Sequence, residues 1–410
     1  DYMSNNLTTL ISLIGKGKTV EGTKGYIKTK YYYDETKDTI YTSFFGSALY
    51  KILKKQGQNI DTWLIFGTNR STWSELLYVV DEKYHDKMIE LYDAVYDEEN
   101  EGISQSLLSQ WEQALQEYMP GLSLILVDPL DYQIYIDHMI HEIPDTERKV
   151  VLDITHAFRH MPVIIAFSLM TLKHIKNISD IMVYYGAFEL KANWNNQNEP
   201  TPILKIDFIN NLVSYAENIA VFNYSGYFPN ILEDLNIFKT DETYFWLEMN
   251  RQPRTDLETI NMNLKEKSKG NNHQAKIAEY INKEIEPLIS ASLHKRMVER
   301  SKFFFYRKQY LKSLILLYEG LIIAIGKKYG FESGQDYDKH EEIRKFLKGN
   351  KNTVFKDKDQ IKTYFDIEYT RNAAVHGSRS RGTQNFLEQQ DHFEALFKKG
   401  IEIYKYITEE

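Results

Sequence analysis

One hydrophobic pattern governs the first half of this chain and stops near its middle. Short apolar runs at 7–14, 60–66, 122–127, 149–154 and 181–186 alternate with amphipathic stretches. Runs of four to eight apolar residues ended by glycine or polar residues read as strands buried on both faces. The spacing between them predicts helices over 43–56, 73–96, 105–118, 132–141 and 162–175. Extended segments at 26–33 and 39–42 flank the turn residues 34–37, which predicts an inserted β-hairpin. A last strand is predicted over 203–208, after the polar segment 191–202. Such alternation specifies a mainly parallel sheet with helices on both faces. From about residue 209 the apolar spacing is helical almost throughout, with breaks at 250–253 and 268–272 and one long helix predicted over 294–328. The expected organisation is an α/β domain over 3–208 and an all-α domain over 209–410.

Composition removes several classes of function. The 410 residues include no cysteine, which excludes disulfides, thiolate metal sites and a cysteine nucleophile. Zero cysteines also fit a reducing cytoplasm. No run of about 18 apolar residues exists to span a membrane, and no signal-peptide pattern is visible. A net charge of -8 is not the footprint of a protein that coats nucleic acid along its whole surface. Any nucleic-acid contact must be local.

In an open α/β sheet, ligands bind where loops leave the carboxyl ends of the strands. Three loops therefore carry the search. Gly15-Lys16-Gly17-Lys18-Thr19 follows the first strand; it lacks the spacing of both standard phosphate loops, yet pairs flexible backbone amides with two lysines. Gly67-Thr68-Asn69-Arg70-Ser71 follows the second and equally reads as a helix cap. Asp153-Ile154-Thr155-His156-Ala157-Phe158-Arg159 ends the fourth, crowding a carboxylate, a hydroxyl, an imidazole and a guanidinium at one edge. Arg159 suits a bidentate phosphate contact. The plain alternative is a cap with a structural histidine.

The C-terminal half holds Arg371-Asn372-Ala373-Ala374-Val375-His376-Gly377, with Gly377 placed to end a helix. Arg371 and His376 lie about 140° apart around that helix. One helix alone makes a poor active site; two copies across a dyad line one groove. Histidine shuttles protons near neutral pH and arginine stabilises a pentavalent phosphate, which suits RNA cleavage by the neighbouring 2′-hydroxyl without a metal. Taken alone, an Arg-x4-His string is more often a helix-ending His and a surface Arg. Glu319, inside an apolar run, needs a partner, either this region or a structural lysine. His138 and His141 have no accompanying carboxylate motif, and no metal site is predicted.

The three features together, 12–18 (SLIGKGK), 153–162 (DITHAFRHMP) and Arg371–His376, resemble the CARF–HEPN proteins, the cyclic-oligoadenylate-activated ribonucleases of type III CRISPR antiviral defence. Ala157 stands where related sequences tend to have glycine. The resemblance implies a Rossmann-like CARF sensor followed by a helical HEPN domain, joined in a homodimer or a higher oligomer. It places Gly15, Lys16, Gly17, Lys18, Thr68, Asn69, Asp153, Thr155, His156 and Arg159 near the activator. It makes Arg371 and His376 catalytic on single-stranded RNA, with Asn372 supporting their geometry. No cofactor is implied. The expected activator is cyclic tetra-adenylate, and cyclic hexa-adenylate shares its two-fold symmetry. Two other readings stand beside it: a cyclic-nucleotide sensor that cleaves no RNA, and a ring nuclease that degrades its own activator.

Overall fold

The computed structural model describes residues 7–17, 25–191, 196, 199–289, 292–331, 337–379 and 382–409. They form two compact units, Asp1–Val213 and Ser214–Glu410. The first is a mixed α/β sheet domain of the Rossmann-like kind, and the second is mostly helical.

In chain order the first unit contains β1 (Leu7–Ile14), β2 (Thr29–Tyr33), β3 (Asp38–Thr42), α1 (Phe45–Lys55), β4 (Asn59–Gly67), α2 (His85–Glu98), α3 (Gln105–Gln116), β5 (Leu122–Leu126), α4 (Ile134–Glu142), β6 (Arg148–Asp153), α5 (His160–Leu172), β7 (Ile178–Gly186) and β8 (Thr201–Lys205). The sheet order is β3-β2-β8-β7-β6-β1-β4-β5. Strands β7, β6, β1, β4 and β5 are parallel, and β8 returns antiparallel to β7. The hairpin β2–β3 extends the sheet through a parallel pairing of β2 with β8. The apolar run of β1 is explained by two cores. Leu10 and Ile14 enter one cluster with Phe45, Trp73 and Trp111, while Ile11 and Leu13 enter the other with Ile165 and Leu169. Alternate side chains of one strand thus seal opposite faces.

Helix α6 (Phe208–Ser225) contains the point of division, and the second unit continues with α7 (Pro229–Asp234), α8 (Asp241–Glu248), α9 (Arg254–Ser268), α10 (His273–Ile285), α11 (Leu293–Tyr306), α12 (Tyr310–Lys328), α13 (Tyr337–Val354), α14 (Lys358–His376), α15 (Gln384–Glu388) and α16 (Gln390–Thr408). Among the described residues no helix is long and apolar enough to cross a membrane.

Two long helices expected from periodicity are interrupted. Over 73–96 the chain first makes two 3-10 turns, at Trp73–Val79 and Glu82–Tyr84, before α2 begins. The Ser74 amide and hydroxyl both donate to the Glu99 carboxylate, and the Trp73 indole donates to the Thr68 carbonyl. Over 294–328 the helix breaks between α11 and α12, with Lys308 at φ +57°. The Arg307 guanidinium donates to the carbonyls of Phe222 and Phe303 and pairs with Glu284. Glu99, Phe222 and Glu284 are distant in sequence from the groups they answer, and no glycine or proline marks either break.

Candidate functional site

The sheet order decides where a crevice opens. After β1 the chain crosses to the β2–β3 hairpin at the far edge of the sheet before it returns through α1 to β4, and after β6 it passes through α5 to β7. The loops after the neighbouring parallel strands β1 and β6 leave the same carboxyl edge, the position where open sheets bind ligands. The loop after β4 joins them. The Ser71 hydroxyl donates to the Ile14 carbonyl, the Thr72 amide to the Gly15 carbonyl, and the Gly17 amide to the Thr72 hydroxyl. All three loops selected from the sequence thus sit at one edge.

Gly15 is there because the β1 and β6 loops touch. A Cβ on Gly15 would lie 2.6 Å from the Ala157 Cα. Ala157 itself adopts φ +80°, a conformation that favours glycine. The departure at Ala157 therefore falls where the backbone adopts a conformation that favours glycine and packs against Gly15.

The side chains of the cleft are tightly partnered. Tyr26 donates its hydroxyl to the Gly15 carbonyl and accepts from the Gly15 amide, both at 2.8 Å. The ring of His156 stacks on Tyr26 at 4.1 Å and lies 5.6 Å from Phe44. Its Nε2 accepts the Phe45 amide at 3.2 Å, the first helical amide of α1, whose N-cap side chain makes no capping bond. A nitrogen that accepts carries no proton, so the ring is neutral with its hydrogen on Nδ1. Burial pushes the His156 pKa down to about 3.

Asp153 ends β6 fully buried. Its Oδ1 accepts the Thr155 amide at 2.8 Å, and its Oδ2 meets no donor at bonding distance. Burial pushes its pKa up to about 7, with the Thr155 amide opposing. Thr155 in turn accepts the Gly186 amide at 2.9 Å, which ties the β6 loop to the end of β7. Glu75 is also buried; it accepts from the Ser43 hydroxyl and the Tyr26 amide, and burial raises its pKa. The result is an edge whose carboxyl groups are shielded by burial, with Lys16, Arg70 and Arg159 exposed on the same loops.

The predicted residues divide accordingly. Lys16, Asn69 and Arg159 present side chains to solvent. The amides of Gly15 and Gly17 are occupied by Tyr26 and Thr72. Thr68 is buried, with its hydroxyl against Ser71 and its amide bonded to the same side chain. Asp153, Thr155 and His156 form the floor. Lys18 lies outside the described residues. Sequence reasoning missed Tyr26, Ser43 and Glu75. Tyr26 sat inside a predicted strand, and only its 11-residue reach back to Gly15 reveals its role.

The second predicted cluster lies on α14. Asp357 caps the helix by accepting the Gln360 amide, while the Gln360 side chain accepts from the Lys356 amide. Gly377, at φ +61°, ends it. His376 is the last helical residue and is exposed. Arg371 turns the other way, toward α12. Its Nη2 lies 3.5 Å from Glu319 Oε1, its Nη1 donates to Asn372 Oδ1 at 2.9 Å, and its guanidinium stands 5.4 Å from the Tyr318 ring centre. Glu319 also meets His340 Nδ1 at 3.2 Å. The half-buried acid of α12 therefore faces Arg371 and a histidine rather than a lysine. Arg371 is oriented within one chain, and His376 is not.

The family described as "CRISPR system endoribonuclease Csx1, CARF domain" matches residues 9–192. CRISPR-associated protein MJ1674 of Methanocaldococcus jannaschii is 24% identical over 212 residues, covering 45% of this chain and 32% of that protein. The chain thus aligns with about a third of that relative's length. The N-terminal unit is thus similar to the CARF domain of that family over residues 9–192.

Proposed function

We propose that this chain is a cyclic-oligoadenylate-activated, metal-independent endoribonuclease of type III CRISPR defence, working as a homodimer, with 3–208 as sensor and 209–410 as HEPN nuclease. The observation that carries the reading is the pairing of a CARF-type crevice with the Arg371-Asn372-His376 helix end in one chain. The crevice suits an anionic ring: its carboxyl groups are buried, and its exposed predicted side chains are amide or cationic. Gly15, Lys16, Gly17, Lys18, Thr68, Asn69, Asp153, Thr155, His156 and Arg159 remain the residues assigned to the activator. We take the floor residues to shape the crevice and Lys16, Asn69 and Arg159 to contact the ring. Binding is favoured over ring cleavage because the His156 Nε2 is spent on Phe45 and is not a free base.

A second copy is supported by α5, where Val163 and Phe167 lie one turn apart and leave an apolar stripe in water, Phe167 at 65% exposure. In the nuclease unit, a dyad brings two exposed His376 side chains and two braced Arg371 side chains to one groove. The RNA 2′-hydroxyl attacks the adjacent phosphorus, the 5′-oxygen leaves, and the products carry a 2′,3′-cyclic phosphate and a 5′-hydroxyl. His376 moves a proton or donates to the phosphate, and Arg371 stabilises the pentavalent transition state. The activator acts by binding one dimer state more tightly than the other.

The test is cleavage of a fluorescent single-stranded RNA in excess EDTA, with cyclic tetra-adenylate, cyclic hexa-adenylate or no ligand. Cleavage only with a ring supports the reading. Intact RNA beside tight ring binding identifies a sensor without nuclease activity, and linear adenylates identify a ring nuclease.

A further inference from the structure

Catalysis requires Arg371 and His376, but a ribonuclease must also hold the strand. At 100° per residue, Phe365, Tyr369, Asn372 and His376 fall within about 60° of one another on α14. They form one stripe running to the helix end, while Arg371 projects away from it. The rings of Phe365 and Tyr369 stack at 6.1 Å with 29° between planes, and Tyr369 is 54% exposed. Helix α13 lines one flank. Lys351 Nζ lies 4.6 Å from the Phe365 ring centre, just beyond the kink at Asn350. A cavity of about 190 Å³ separates the helices, walled by Arg344, Lys345, Lys348, Phe365 and Glu368.

The carboxylates near this flank already have partners. Glu368 accepts from the Tyr318 hydroxyl at 2.8 Å and lies 4.0 Å from Arg344, and Glu341 lies 3.7 Å from Lys345. Lys348 and Lys351 make no ion pair with described residues, which leaves positive charge beside the half-buried Phe365 ring and the exposed Tyr369 ring. That combination is what holds a single strand without reading its sequence: rings stack on bases and cations follow the backbone.

We propose that the Phe365–Tyr369 stripe, flanked by Lys348 and Lys351, is the track that holds single-stranded RNA on its way to His376. This deepens the ribonuclease assignment and rests on it. Tyr369 lies seven residues, about 10 Å along the axis, from His376. A base stacked on Tyr369 therefore belongs to a nucleotide next to or near the cleaved bond. The residues are binding residues; the proton chemistry stays with His376.

The experiment uses the full chain with His376→Ala as background, so that RNA binding is read without cleavage. Fluorescence anisotropy with a labelled oligouridylate and sedimentation of the same samples, both with activator present, give affinity and assembly together. Adding Tyr369→Ala is expected to weaken RNA binding by about 5–100-fold, the range for one lost stacking contact. Adding Lys348→Gln with Lys351→Gln is expected to weaken it and to flatten its salt dependence by roughly two phosphate contacts. Cyclic tetra-adenylate affinity and sedimentation stay unchanged. Tyr369→Phe keeps the ring and restores binding, which separates stacking from misfolding. Unchanged RNA affinity in Tyr369→Ala overturns the track. Loss of the dimer in that variant overturns it too, and makes the stripe a subunit contact. Failure of the parent His376→Ala protein to bind RNA at all overturns the ribonuclease assignment itself.

Discussion

The cleft at the sheet edge and the end of α14 are built on opposite plans. In the cleft nearly every polar group is answered within the chain. Tyr26 closes on Gly15, His156 on Phe45, and Thr155 on Gly186. Of the two groups assigned to chemistry at the end of α14, only Arg371 is answered, by Glu319 and Asn372, while His376 stands exposed at the last turn. A site finished inside one chain can be pre-organised before its ligand arrives. A site with one braced and one open catalytic group calls for something from outside, which under the proposed function is a second copy. Under the proposed function, the same chain separates a stable recognition surface from a chemistry that exists only in the correct assembly.

The strongest way to break the comparison is to remove the open group. His376→Ala is expected to lower activator-dependent RNA cleavage by about 10²–10⁴-fold, the usual weight of a proton-transfer residue. Calorimetric binding of cyclic tetra-adenylate should be unchanged. Full activity in this variant ends the assignment of chemistry to α14.

Next comes the brace. Glu319 lies 3.5 Å from Arg371 Nη2 and 3.2 Å from His340 Nδ1. Glu319→Gln keeps the shape and removes the charge. It is expected to lower kcat by about 10-fold, as loss of a half-buried charge-assisted contact of 1.5 kcal/mol or so implies, with KM little changed. A rise in KM alone argues that Glu319 shapes the binding surface instead of orienting Arg371.

How much of this contrast could be read beforehand follows from where the contacts lie in sequence. β1 was legible because its residues face two cores and tolerate no polar position between Ile11 and Ile14 except Ser12, which receives the Trp63 indole. The three loops were legible from topology alone, since strand ends collect at one edge. The Arg371–His376 spacing and the Gly377 stop were local and visible. Tyr26, Ser43 and Glu75 were not, because each acquires meaning from a partner brought near by folding. His156 was singled out as a ligand group, and the structure spends its Nε2 on an amide 111 positions earlier. Lys348 and Lys351 were not singled out, because their place near Phe365 depends on how α13 packs on α14.

The cleft's internal wiring also makes a pH prediction with two opposed terms. The native pKa of Asp153 is raised to about 7, so its contribution favours the folded state below the unfolded carboxyl range and is lost as pH rises toward 7. The native pKa of His156 is lowered to about 3, so its contribution is full above the unfolded imidazole value near 6.5 and is lost as pH falls below it. Between about pH 4 and 6.5 each moves stability by up to 1.4 kcal/mol per pH unit, with opposite signs. In the parent chain the two offset each other. Asp153→Asn leaves the histidine slope, so its stability relative to the parent falls as the solution is acidified. His156→Asn leaves the aspartate slope, and its relative stability rises on acidification. Chemical denaturation at pH 4.5, 5.5 and 6.5 reads both. Parallel midpoints for all three proteins show that neither group is as buried as its packing indicates.

The smallest expected effect tests whether the cleft's order carries strain. Ala157 occupies φ +80° with Gly15 pressed against its backbone. An L-residue with a Cβ pays for that conformation, whereas glycine does not. Glycine also costs entropy on ordering, so the two terms oppose, and in the left-handed region the steric term wins. Ala157→Gly is therefore expected to raise stability by about 0.5–1 kcal/mol, seen as a later denaturation midpoint with an unchanged slope. Removing one methyl group from the contact between the β1 and β6 loops leaves the Gly15–Tyr26 and His156–Phe45 hydrogen bonds intact, so ring affinity should move by less than about threefold. A destabilised Ala157→Gly variant means that the alanine methyl supplies packing worth more than the strain it incurs. The closed plan of the cleft then rests on that contact as well as on its hydrogen bonds.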